Sequence, residues 1–197
     1  MVKLSTVTVT ALVATSLASV AASQESQLRQ AAKERDVTLH IMNAYEPATF
    51  EMLVQRADTV VVATILKGRT FLAGEQIVTH YDARVDQVIR RTPPGLIRGD
   101  VLMVRRVGGA MTMEGHSIVG HENDFPQFTI GDTYVLFLKR VENREFYWVA
   151  YGPQGAFHVD ADSVRQVSEV FGSWNRERGK VSLRDFIAEV LAVSRQP

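Results

Sequence analysis

Cysteine is absent from this 197-residue chain. Disulfides and dithiol redox chemistry are therefore excluded, and the fold must rest on burial alone. No Asn-x-Ser/Thr acceptor occurs either, since Asn43, Asn123, Asn143 and Asn175 all fail the pattern. Charge of one sign is not in excess, with 22 Lys and Arg against 22 Asp and Glu. Nucleic-acid affinity comes largely from phosphate neutralisation, so a chain this balanced is a poor nucleic-acid binder. A polybasic membrane-surface protein is equally unsupported. There is no internal repeat and no low-complexity segment. The longest uncharged apolar run, near the start, is broken by Thr8, Thr10, Thr15, Ser16 and Ser19. A membrane span needs about 20 predominantly apolar residues, so a transmembrane helix is not expected.

That same run carries the most informative pattern. Lys3 gives a positive start, Val7 to Val20 an apolar centre, and Ala21-Ala22-Ser23 a small-residue end. This is the form of a secretory signal peptide over residues 1–22, with cleavage expected after Ala22. The mature chain is then expected to be exported, periplasmic or secreted. Cleavage removes one cation, Lys3, and no acid, leaving a formal charge of −1. About 175 residues remain, enough for one domain with its own core.

Hydrophobic periodicity divides the rest. Residues 23–46 read as a leader, partly helical or disordered, with a weak strand at Val37, Leu39 and Ile41. Phe50, Leu53, Val54 and Ala57 share one face of a helix over Pro47 to Ala57. Thr59 to Leu66 is a continuous β-branched run, the mark of a strand buried on both faces. Gly68 and Gly74 are expected to bracket a turn. Ile77 to Ile89 is a long strand whose phase slips near Gln87, as a β-bulge would make it. Further strands are expected at Val101 to Val107, Thr133 to Leu138, Glu145 to Ala150 and Ala156 to Val159. A turn is expected at Thr92 to Gly95, and Gly108-Gly109 should stop the third strand. Residues 110 to 128 read either as a long loop or as a hairpin in which Ile118 and Val119 pair back on Met111 and Met113. Two helices follow, a short one over Ser163 to Phe171 and one N-capped by Ser182 with Asp185 three residues on. The expected class is mainly β with flanking helices (α+β): a small OB-like β-barrel over 47–160, with a C-terminal helical cover over 161–197. Val61, Ile65, Val85, Val135 and Phe137 are expected in its core.

Four runs carry a family likeness. They are Leu53-Val54-x-x-Ala57-Asp58-x-Val60-Val61-Val62, the Gly108-Gly109 pair, Phe128-x-x-Gly131-Asp132-x-Tyr134-Val135-Leu136-Phe137-Leu138, and Gln154-Gly155-x-Phe157-x-Val159. Their order resembles a group of uncharacterised bacterial exported proteins with an OB-like barrel. That barrel is similar in outline to the netrin-like fold of tissue inhibitors of metalloproteinases. The likeness spans roughly residues 50 to 160 and implies a fold rather than an activity. Ala63 stands where the group has glycine in its first strand. The inhibitors' cysteine-anchored amino terminus has no counterpart here.

Chemistry-bearing residues are few. Gly115-His116-Ser117 falls short of a nucleophile elbow, because Val119 stands where its second glycine belongs. His116, His121, Glu122 and Asp124 are the densest polar cluster and hold zinc-type donors, with zinc as the one cofactor worth testing. A spacing of five puts the two histidines on neither one helical face nor one strand face, so only a loop could join them. Arg90, Arg91, Arg98, Arg105 and Arg106 gather about one turn and strand, as an anion- or partner-binding patch would. His80, Asp82, Arg84 and Asp86 share one strand face, which reads as the wet side of a sheet. Tyr147, Trp148 and Tyr151 offer an aromatic platform, with Tyr147 and Trp148 on opposite faces. No triad, phosphate loop or strong metal motif is present. The expected function is an exported non-catalytic binding or interaction module for a protein or small-molecule partner. The alternatives are a metal-dependent hydrolase using residues 114–124 and a peptidase-inhibitor-like protein by fold analogy.

Overall fold

A computed structural model describes residues 28–74, 76–91, 95–168, 174 and 179–195. The expected signal peptide and the first residues of the leader lie outside the described residues, as do residues 92–94 of the expected Thr92 to Gly95 turn. The chain is mainly β with a few helices. Among the described residues no helix is long and apolar enough to cross a membrane.

The largest sheet runs in the order β11-β10-β9-β7-β2-β3-β4-β8. Its strands are β2 (Thr59–Ala73), β3 (Gln76–Arg91), β4 (Val101–Val107), β7 (Thr133–Arg140), β8 (Phe146–Val149), β9 (Ala156–Asp160), β10 (Ser163–Gln166) and β11 (Val181–Ser182). A further pairing of β7 with β8 closes β2, β3, β4, β8 and β7 into a ring. All its pairings are antiparallel except β4 with β8, which is parallel. A smaller sheet, in the order β1-β6-β5, joins β1 (Val37–Ile41) in parallel to the hairpin of β5 (Gly109–Met113) and β6 (His116–Glu122).

The alternation of side chains explains why β2 is hydrophobic throughout its first half. Val61, Ala63 and Ile65 join Ala83, Val85, Leu102, Val104, Leu136 and Leu138 in one cluster, which places them on the inner face of the ring. Val60 and Val62 face the other way. They pack with Val135, Phe137 and Phe157 against helices α1 (Phe50–Arg56) and α2 (Leu183–Val193). Phe50, Phe137, Phe157, Trp174 and Phe186 meet there, with centroid separations from 4.4 to 6.3 Å. All five expected core residues are fully buried. Thr49 caps α1 by accepting from the Met52 N–H, so Pro47 lies just before the helix rather than in its first turn. Ser182 caps α2 through the Asp185 N–H, as its spacing predicts.

The register of β2 on β3 shifts at three places. Asp86 and Ile89 drop out of the pairing on β3, on either side of the bulge expected at Gln87, and Leu66 drops out on β2. Such bulges bend a long strand, which is how this pair wraps round the ring. Gly68 forms no turn; it lies within β2 opposite Tyr81, and a Cβ there would stand 3.0 Å from that ring. The turn comes at Gly74. Residues 110–128 hold the hairpin, turned by Glu114 and Gly115 at positive φ, as a two-residue type I′ loop requires. The Gly108-Gly109 pair stops β4 at Val107, as expected, and Gly109 begins β5 in the smaller sheet. Its φ is +123°, and a Cβ would stand 2.1 Å from Thr79 Oγ1, so only glycine lets the chain pass from the ring to the smaller sheet.

The C-terminal segment departs from expectation. Ser163–Gln166, expected as helix, is β10, paired with β9 across a turn at Ala161 and Asp162. The open edge of β9 supplies backbone partners, and Val164 and Gln166 turn inward, so tertiary pairing overrides local propensity. Val167 and Ser168 follow without helical structure, and 169–171 of that expected helix lie outside the described residues. Phe137 is fully buried between the ring and both helices. Phe137→Ala should cost about 3–5 kcal/mol in urea unfolding; a loss under about 1 kcal/mol would take it out of the core.

Candidate functional site

Arg106 follows Leu102 and Val104 in the inward phase of β4, and its side chain is 1% exposed. Its guanidinium lies 3.2 Å over the centroid of Phe125 and 4.9 Å from that of Phe128. Nη2 donates to Glu122 Oε2 at 3.1 Å and to the Phe125 carbonyl at 2.6 Å, and Nη1 donates to the Pro126 carbonyl. Nε is buried with no hydrogen-bond partner among the described residues. Glu122 Oε1 accepts from Asn43 Nδ2 at 2.7 Å and from the Tyr45 hydroxyl. Burial, together with the bond and charge of Glu122, raises the Tyr45 phenol far above its ordinary range, so it stays protonated and donates. Burial lowers Arg106 while Glu122 opposes the shift. Guanidinium keeps its proton in proteins, so the pair is ionic.

The segment after β1 is held in place by this network and by Gln154. Gln154 Oε1 accepts from Ala48 N at 2.7 Å, and Nε2 donates to the Glu46 carbonyl at 2.8 Å. The Tyr45 ring lies against Gly152, where a Cβ would stand 2.3 Å from Tyr45 Cε1. Before it, Tyr151 adopts left-handed φ 54°, ψ 29°, a conformation costly for a bulky residue. Asn43, Tyr45 and Glu46, from the end of the expected leader, are thus tied to the ring and to the smaller sheet.

These pieces enclose a cleft of about 320 Å³. Tyr45, Arg105, Trp148, Tyr151 and Gly152 line it together with Phe125 and the buried Arg106–Glu122 pair. Arg105 points to the opposite face of β4 from Arg106. Its Nε donates to His80 Nε2 at 2.7 Å. Its guanidinium lies 4.1 Å over Phe146, with Phe71 at 5.8 Å and Trp148 at 5.9 Å.

The two residue sets expected as separate sites meet in this place and otherwise disperse. Arg106 from the arginine group is joined to Glu122 from the histidine group. Arg90 instead donates to the carbonyls of Val54 and Ala57 at the end of α1. Arg98 is exposed, and the Arg91 side chain lies outside the described residues. His116 sits beside the hairpin turn, 3.4 Å from Asp36. His121 lies near the far end of β6, stacked on His40 at 6.1 Å. Asp124 is exposed. Among the described residues no group of three or more His, Cys, Asp or Glu is placed to hold a metal ion. The face of His80, Asp82, Arg84 and Asp86 carries ion pairs, Lys67 with Asp82 and Arg84 with Asp86, each at 3.0 Å. Of the aromatic platform, Trp148 and Tyr151 reach the cleft. Tyr147 turns away to line a different depression with Asp82, Asp100 and Glu145.

Sequence reading missed Tyr45 and Asn43, whose partner Glu122 lies 77 and 79 positions away. It also missed a second cluster, in which His158 Nε2 lies 3.1 Å from Asp132 Oδ2 beside Tyr134, in a depression of about 400 Å³ that Arg165 also lines. No protein-family model matches the chain, and no curated protein matches it.

His80 generates a pH prediction. It accepts from Arg105, so it is neutral, and burial, then Arg105, then Arg69 lower it from the ordinary 6.5, with Asp82 opposing. As pH falls below that value the unfolded chain takes up the proton and the folded chain does not, so stability falls. His80→Gln keeps a neutral acceptor for Arg105. Between about pH 8 and about pH 5, urea unfolding should show a smaller loss of stability for His80→Gln than for wild type. Identical losses would mean that His80 titrates as it does in the unfolded chain.

Proposed function

We propose that this chain is an exported, non-catalytic binding module, and that its ligand sits in the cleft of Tyr45, Trp148 and Tyr151. The observation that carries this reading is the left-handed Tyr151 in the cleft wall. Strain of this kind persists where surrounding contacts over-determine it, and it gathers at ligand sites. The surroundings support the same reading. Small-molecule sites are concave, lined by aromatic side chains, and oriented by a few fixed polar groups. The base here is an ion pair whose carboxylate is already satisfied, which suits holding a shape rather than moving protons.

The ring order supports an OB-like barrel. Strands β2, β3, β4, β8 and β7 close in that order with one parallel pair, in the manner of a five-stranded Greek-key barrel. Helices α1 and α2 would then cover one outer face. Export rests on the Lys3 to Ala22 pattern.

Neutral aromatic probes test the reading. Indole and phenol titrated into ¹⁵N-labelled protein should shift the Tyr45, Tyr151 and Gly152 amides and the Trp148 indole signal. Trp148→Ala should weaken that response about tenfold. Shifts confined to the His158 depression, or none at all, would remove the cleft as the binding site.

A further inference from the structure

Arg105 stands at the cleft with most of its donors uncommitted among the described residues. Nε is held by His80 at 2.7 Å. The guanidinium carbon lies 4.1 Å over the centroid of the Phe146 ring. Among the described residues Nη1 and Nη2 have no hydrogen-bond acceptor, and no carboxylate forms an ion pair with Arg105. The charges that act on Arg105 and on its partner His80 include further cations, Arg144 and Arg69 respectively. Asp82, the acid that acts on His80, is itself paired with Lys67 at 3.0 Å. Glu145 lines another depression. The result is a rigid fork of donors, already oriented, beside an indole ring and in a locally cationic setting. Such a fork matches the two oxygens of a carboxylate or phosphate, and its fixed orientation lowers the ordering cost of binding.

Resting on the cleft reading above, we propose that the ligand is a small planar molecule ending in an oxyanion, which Arg105 binds through Nη1 and Nη2 while the planar body lies against Trp148. A cleft of about 320 Å³ lies at the small end of ligand pockets, which suits a single ring with its acidic group. Arg106 does not compete for the anion, because its terminal nitrogens are committed to Glu122 and to the carbonyls of Phe125 and Pro126.

Calorimetric titration with matched probes decides the proposal. Benzoate and benzamide share shape and differ in charge; phenyl phosphate and inorganic phosphate separate the oxyanion type and the need for a ring. Wild type should bind benzoate or phenyl phosphate about tenfold more tightly than benzamide. The tighter of the two names the acid. Arg105→Gln should bring the charged and neutral probes within about twofold, and Arg105→Lys should fall between, since it keeps the charge and loses the fork. Equal binding of benzoate, phenyl phosphate and benzamide to wild type would overturn the oxyanion assignment and leave the aromatic cleft standing. Inorganic phosphate binding as tightly as phenyl phosphate would overturn the planar body. Binding of none of the ring probes would remove the cleft reading itself.

Discussion

The buried ion pair of Arg106 and Glu122 is the constraint on which the arrangement of this protein turns. One partner comes from the ring and the other from the smaller sheet, and both are almost completely enclosed. Removing two charges from water costs several kcal/mol per ion, and their attraction repays this only when the remaining hydrogen bonds are made. Here nearly all are made. Glu122 takes hydrogens from Arg106, Asn43 and Tyr45, while Arg106 also reaches two carbonyls and stacks on Phe125. An apolar pair of the same volume would hold the two sheets together about as well. What the ion pair adds is position: it fixes Tyr45, and with it the segment that walls the cleft.

The cleft follows from that position and from the alternation of β4. Consecutive residues of a strand face opposite ways, so Arg106 enters the interior while Arg105 stays at the cleft wall. One arginine is used up in structure, and the other has no acceptor for its terminal nitrogens among the described residues. The aromatic rings divide in the same way along β8. Phe146 and Trp148 lie under Arg105, and Tyr147 turns the other way, half-buried against the edge of the core cluster beside its own depression. The turn after β8 then bends through Tyr151 and Gly152, whose lack of a side chain admits the Tyr45 ring. Strand pairing, glycine and the buried pair together produce one recess with a preset charge at its rim.

Much of the strand framework was legible because burial on two faces leaves a continuous apolar run, and β2 and β7 carry such runs. The bulge in β3 was legible from a slip in phase. The opposite facing of Arg105 and Arg106 also follows from adjacency alone, although their grouping about one turn suggested a single patch. The spacing of His116 and His121 already set them on different faces, and the hairpin keeps them apart. Two features were not legible. Ser163–Gln166 has weak local preference, and only the open edge of β9 makes it a strand. Tyr45 carries no periodic signal, because its role depends on a carboxylate 77 positions away. Contacts of that separation leave no trace in local pattern.

A double-mutant cycle on stability addresses the buried pair most directly. Glu122→Gln and Arg106→Met are each expected to cost about 3–5 kcal/mol, because each leaves an uncompensated buried group. The double variant should be far more stable than the sum implies, with a coupling of about 2–3 kcal/mol. Costs that add to within about 0.5 kcal/mol would contradict a shared buried interaction and would leave the cleft without its structural base.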